Sequence, residues 1–363
     1  MRSQGFEQVQ RGRVPQLDGL RAIAILLVIA HHAGLVSIGW IGVNLFFALS
    51  GFLITGILRR SREEEFFWGP FYLKRAARIL PPLLPFFLLC ALTTPVARHA
   101  TLLPYIFFGA NVAQSLPHAS VTDLTVLWSL AVEEHFYLLW PFAIRFLGRR
   151  ALVRLLVVIL LLEPIVRLLG TVLIHRWEPI YFLTPFQMDG LAAGALLAVL
   201  VEDERASIYL RRWAPWGVMA ALLIFALCCA APGFSREQNS LLFNSAGYSL
   251  LAVLSAAVVA VLVLRPASLL SRTLSLSPLV FVGLVSYGLY LYHGPVIQLV
   301  WAALQRENFR RGRIIELIGA IVALLVSWIS FRFYEAPLIA FGRRTANRLT
   351  RRNASSIPTL TKV

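Results

Sequence analysis

The stretch RAIAILLVIAHH, residues 21–32, sets an arginine and two histidines at opposite ends of nine apolar residues. Ionisable side chains inside such a run are expensive and mark functional positions. Histidine takes and returns a proton near neutral pH, and a neighbouring carboxylate orients its ring. WSLAVEEHFYLLWP (128–141) supplies such a carboxylate in Glu133. FYLKRAARILPP (71–82) supplies Arg75 and Arg78, spaced i, i+3 so that both project to one side. Guanidinium forks bind phosphate oxygens bidentately. The chemistry these residues point to is base-assisted attack at one place and capture of a phosphate-bearing ligand at another.

Helical geometry sorts the candidates. Arg21 and His32 are eleven residues apart, roughly 16 Å along a helix, and eleven steps of about 100° return almost to the same face. Asp18 joins that face one turn earlier, and His31 lies off it. His32 is therefore the candidate base and His31 its neighbour. Glu134 diverges from Glu133 by about 100°. Arg332 and Glu335 of FRFYEAPL join Arg21, Arg75 and Arg78 in a cytoplasmic layer. Glu163 and Arg167, at i, i+4, form a structural pair. Asp189 in FQMDGLAAGALLA is either a cap or polar tie, or a member of an outer layer with His32 and Glu133. His293 in SYGLYLYHGPV is open between structure and function.

The elements that hold these residues are membrane spans. The chain is 58% hydrophobic and only 14% charged, where a soluble domain carries about a quarter charged residues. The fold class is all-α, a polytopic membrane helical bundle. A β-barrel is disfavoured because the apolar runs do not alternate. About ten spans are expected, at 17–35, 41–58, 79–97, 127–147, 151–174, 185–201, 214–231, 242–264, 279–303 and 314–341. Residues 101–115 form either a re-entrant segment or an eleventh span. With the N-terminus inside and 101–115 not spanning, 24 of the 34 Lys and Arg fall in inside segments. That asymmetry places both termini in the cytoplasm, with RENFRRGR (306–313) as an exception. Residues 59–78 read as an interfacial helix. The basic tail from Arg343 reads as flexible and close to anionic lipid. The net charge of +16 follows this topology, so no nucleic-acid partner is expected. Cys90, Cys228 and Cys229 lie in apolar runs and read as small buried hydrophobes. No metal site and no cleavable signal peptide are expected.

These segments carry a resemblance. LDGLRAIAILLVIAHH resembles the R-X10-H signature of the acyltransferase-3 family, matching Arg21 and His32. FYLKRAARILPP resembles its R-X-X-R motif, matching Arg75 and Arg78, and WSLAVEEHFYLLWP its S-L-x-x-E-x-x-F-Y motif, matching Glu133. GVNLFFALSGFLITGIL, SYGLYLYHGPV and YEAPL resemble further family segments in the same order. Asn44 stands where aspartate is frequent, and His135 where glutamine is usual.

The resemblance implies a transmembrane acyltransferase domain over 14–341, between cytoplasmic tails at 1–13 and 342–363. It implies transfer of an acyl group, usually acetyl, from acyl-CoA as donor substrate, with no bound cofactor. The acceptor is a hydroxyl of a glycan or another envelope or secondary-metabolite molecule, and the setting is the bilayer of the bacterial cytoplasmic membrane. It further implies that His32 is the base, with Arg21, Arg75 and Arg78 serving the donor. Glu133 would orient or stabilise the imidazole. The second, hydrolase-like domain of some relatives is not expected here. A transporter or flippase is the alternative from another class, although no repeat symmetry supports it.

Overall fold

The computed structural model describes residues 14–93, 102–117, 119, 122–230, 234, 239–305 and 312–354. Among them there are helices and no strands. The principal helices are α1 Pro15–His32, α2 Gly42–Arg60, α3 Trp68–Thr93, α4 Leu127–Phe146, α5 Arg149–Ile174, α6 Met188–Leu200, α7 Glu204–Cys229, α8 Tyr248–Leu264, α9 Ser277–Leu284, α10 Ser286–Gln305, α11 Arg313–Ser330 and α12 Ala336–Ala354. Among the described residues, six stretches are long and apolar enough to cross a membrane, or seven if α9 and α10 count as one broken span. The sequence reading expected about ten. The difference lies with α1 and α4, which carry the ionisable candidates, and with α6, which is only 13 residues long.

Three further expectations change. Residues 59–78 are not one interfacial helix: α2 runs to Arg60, a turn follows, and Trp68 already starts α3. The basic segment after Arg343 is helical through Ala354. Cys90 is buried, but Cys228 and Cys229 are not, because α7 turns much of its apolar surface outward. Residues 103–115 form only two short helices, Leu103–Ile106 and Ala110–Ser115, too short to cross. Residues 306–311 of the expected exceptional loop lie outside the described residues.

Two compact units divide the chain. The first comprises the described residues of Met1–Ile57 and Val96–Ser286. Its core runs through Leu17, Leu20, Leu49, Phe52, Leu197 and the apolar stripe of α8 from Val259 to Leu264. Glycines let its helices touch backbone to backbone. A Cβ on Gly51 would collide with the Leu191 carbonyl, and one on Gly194 with the Ala48 carbonyl, so α2 and α6 are in direct contact. Gly283 and Gly19 do the same for α1, against the carbonyls of Asp18 and Leu274. In hydrocarbon, where burial of apolar surface drives little association, such close packing is what holds helices together.

The second unit comprises the described residues of Leu58–Pro95 and Tyr287–Val363. Here α12 packs along α3, with Gly342 seated on Ala77. α3 contains Pro81, Pro82 and Pro85. The hydroxyls of Tyr287 and Tyr292 donate to its Ile79 and Pro82 carbonyls at 3.1 and 3.2 Å, tying α10 to the proline-bearing stretch of α3.

Candidate active site

α1 is delimited by residues whose conformations leave little choice. Pro15 occupies the first turn, where its missing N–H is not needed. At the other end Gly34 has φ +69°. Its N–H donates to the His31 carbonyl at 2.9 Å, and the Leu35 N–H donates to the Ala30 carbonyl at 2.8 Å. This pair of bonds around a left-handed glycine is a Schellman stop. It makes His32 the last helical residue, three positions before the end expected from hydropathy. His32 is exposed and His31 half-buried. The His31 Nδ1 lies 3.3 Å from the Val36 carbonyl, a local backbone partner in the loop that leaves the helix. The His31 and His32 rings are 5.7 Å apart, centroid to centroid.

At the start of α1, Asp18 is buried and accepts a hydrogen bond from Arg21 Nη1 at 2.9 Å. The same-face relation between them is thus an ion pair, at i, i+3.

Glu133 is half-buried on α4. Its Oε2 accepts a hydrogen bond from the Tyr137 hydroxyl at 3.1 Å, one turn along the same helix. Tyr137 is in turn hydrogen-bonded to Ser50 of α2. Trp140 Nε1 donates to the buried Thr55 hydroxyl at 2.8 Å, a second tie between α4 and α2. The orientation of the Glu133 carboxylate is therefore set from α2 through a tyrosine. The sequence reading passed over Ser50 and Tyr137 as contributors. The i, i+4 spacing of Glu133 and Tyr137 was the available signal.

His135 does not share that role. Its Nδ1 lies 2.7 Å from Thr184 Oγ1, which also accepts from Asn111 Nδ2 at 2.9 Å. The ring has a backbone hydrogen bond to Phe108 as well. Phe108 joins the two short helices of 103–115 at φ +56°, a strained value for a non-glycine residue. His135 thus latches this short element to α4.

Glu163 and Arg167 do pair, at 3.5 Å, but Arg167 has a nearer carboxylate. Its Nη2 donates to Asp189 Oδ2 at 2.7 Å. Nε donates to the Asn244 carbonyl at 2.7 Å and Nη1 to the Phe186 carbonyl at 3.0 Å, while Nη2 also meets Ser249. Arg167 is fully buried. The Glu163 carboxylate accepts the Met188 N–H at 2.9 Å, at the start of α6. Asp189 is a polar tie, joining α5, α6 and α8 around one guanidinium.

In the second unit Arg75 and Arg78 are both half-buried on α3. Glu335 is buried within electrostatic range of Arg78 and accepts from Ser330 at 2.8 Å and Tyr292 at 3.4 Å. The π-helical turn Phe331–Glu335 widens the last span and turns Glu335 inward, leaving Arg332 exposed. His293 is buried, its Nδ1 2.8 Å from the Tyr290 carbonyl of its own helix.

Comparison with known proteins places this arrangement. Residues 14–332 match the acyltransferase domain family. The O-acetyltransferase OatA of Staphylococcus aureus is 28% identical over 90% of this chain and 57% of its own length. The peptidoglycan O-acetyltransferase OatA of Listeria monocytogenes is 30% identical, over 90% of this chain and 56% of its own. The chain thus spans less than three fifths of the length of these curated relatives. No solved structure matches.

Proposed function

The chain belongs to the acyltransferase-3 family, and from that premise we propose that it is a multi-pass O-acyltransferase of the bacterial cytoplasmic membrane, with both termini in the cytoplasm. It moves an acyl group, acetyl by preference, from acyl-CoA to a hydroxyl of an envelope glycan. The observation that carries this reading is the continuity of α1. One unbroken helix holds the Asp18–Arg21 pair at its start and His32 at its last position.

In this mechanism His32 takes the proton of the acceptor hydroxyl as its oxygen attacks the thioester carbonyl. The C–S bond breaks, and the proton passes to the departing CoA sulfur, so the imidazole ends as it began. His32 sits at the negative end of the α1 dipole, which favours the transient imidazolium. Glu133, held by Tyr137, orients or stabilises that imidazolium. Arg75 and Arg78 bind donor phosphates, and on α1 Asp18 balances the charge of Arg21. Direct transfer needs no serine or cysteine nucleophile.

The test uses the full chain purified in detergent with acetyl-CoA. His32→Ala abolishes thioester-dependent CoA release and acceptor acetylation, His31→Ala is mild, and Arg78→Ala raises the donor KM. Full activity in His32→Ala refutes the assignment.

A further inference from the structure

The contact between α3 and α12 assembles more positive charge than the two motif arginines. The helices are antiparallel: Glu335, at the start of the α12 segment, sits near Arg78, and Gly342 sits against Ala77 and 3.7 Å from the Leu73 carbonyl at its Cβ position. Ala346, one turn beyond Gly342, is fully buried. The Gly342–Ala346 face of α12 therefore meets the Leu73–Ala77 face of α3.

Each further residue rotates about 100° round its helix. On α3 this places Lys74 about 60° and Arg78 about 100° to one side of Ala77. On α12 it places Arg343 about 100° from Gly342. For an antiparallel pair of right-handed helices, a forward rotation on each partner leads to the same flank. Lys74, Arg78 and Arg343 therefore line one flank of the α3–α12 seam. Arg344 and Arg348 point away from it. Lys74 and Arg343 are exposed, and neither forms an ion pair among the described residues. Burial of Glu335 on the seam side leaves the exposed rim cationic.

We propose that Arg343, with Lys74, is a second anchor for the phosphates of the acyl donor, contributed by the helix that follows the last span. This rests on the donor reading of Arg78 above. A CoA thioester carries a diphosphate and a ribose phosphate, three phosphate groups where α3 offers two guanidinium forks. Arg343 supplies a further fork about one residue's rise from the level of Gly342 and Ala77. The same phosphate chemistry is offered by anionic lipid headgroups, so the experiment separates the two sources.

Donor kinetics are measured on the full chain in nanodiscs of purely zwitterionic lipid and of lipid containing phosphatidylglycerol. Acetyl-CoA is compared with acetyl-pantetheine, which carries no phosphate. Arg343→Ala raises the KM for acetyl-CoA about tenfold in both membranes, as the loss of one charge-assisted hydrogen bond should. It leaves kcat and the KM for acetyl-pantetheine unchanged. Arg343→Lys recovers part of the loss, and Arg344→Ala, on the opposite face, has no effect. An effect seen only with phosphatidylglycerol assigns Arg343 to lipid and overturns the proposal. Equal loss with both donors makes it structural and also overturns it. If Arg78→Ala raises the acetyl-CoA KM and Arg343→Ala does not, this inference alone fails. If neither does, the donor reading fails with it.

Discussion

Removing Asp189 should damage the first unit more than removing Glu163, although Glu163 is the partner that helical spacing assigns to Arg167. Asp189 Oδ2 accepts from Arg167 at 2.7 Å and from Ser249 at 3.1 Å, and Oδ1 accepts from the Gly190 N–H at 2.8 Å. Asp189→Ala strips all three donors of an acceptor and leaves a fully buried guanidinium short of its main counter-charge. Breaking a buried ion pair from one side costs about 3–5 kcal/mol. Glu163→Ala removes a looser 3.5 Å pair and orphans the Met188 N–H, a loss of about 1–3 kcal/mol. Asp189→Asn should fall between them, since the amide oxygen still serves one donor. Thermal unfolding of the detergent-solubilised protein, followed by intrinsic fluorescence or by loss of the monodisperse peak, ranks the three variants. A Glu163→Ala protein as unstable as Asp189→Ala, or more so, refutes the reasoning.

Tyr137→Phe removes the hydroxyl that holds Glu133. It should lower kcat about tenfold with little change in the donor KM, and steady-state kinetics at varied acetyl-CoA checks this. A rise in KM at constant kcat would contradict the positioning role. Gly34→Val forces a β-branched residue into a left-handed conformation in open space, so only backbone strain opposes it. It should lower activity and stability by about 1–2 kcal/mol, while Gly34→Asn is tolerated, measured as residual activity and unfolding temperature.

How much was legible in advance depended on the range of the interaction. The membrane-helical class follows from composition, because apolar runs of this length have no other stable setting. The Asp18–Arg21 pair and the shared face of Arg21 and His32 follow from the period of one helix. So does the Glu163–Arg167 pair, and for the same reason: both partners are on one element. The family motifs singled out Arg75 and Arg78 as candidates for the donor phosphates.

What lay beyond reach was decided between elements. No spacing rule places Asp189 on Arg167, 22 residues away, or Asn244 on it, 77 away. The guanidinium selects whichever acceptors tertiary packing brings to it, and in a dry interior it must satisfy all its donors. Ser50 reaches Tyr137 only because α2 and α4 lie side by side. The run RRSREEEFFWGPFYLKRAAR looked like one amphipathic helix because local polarity does not reveal where the chain turns. Hydropathy overran the end of α1 because it weighs side chains, whereas the stop is set by backbone hydrogen bonds around Gly34. The sequence by itself determined the solvent these helices require and the faces they present. Only the tertiary structure decided which buried charge meets which, because that choice belongs to helices far apart in the chain and adjacent in space.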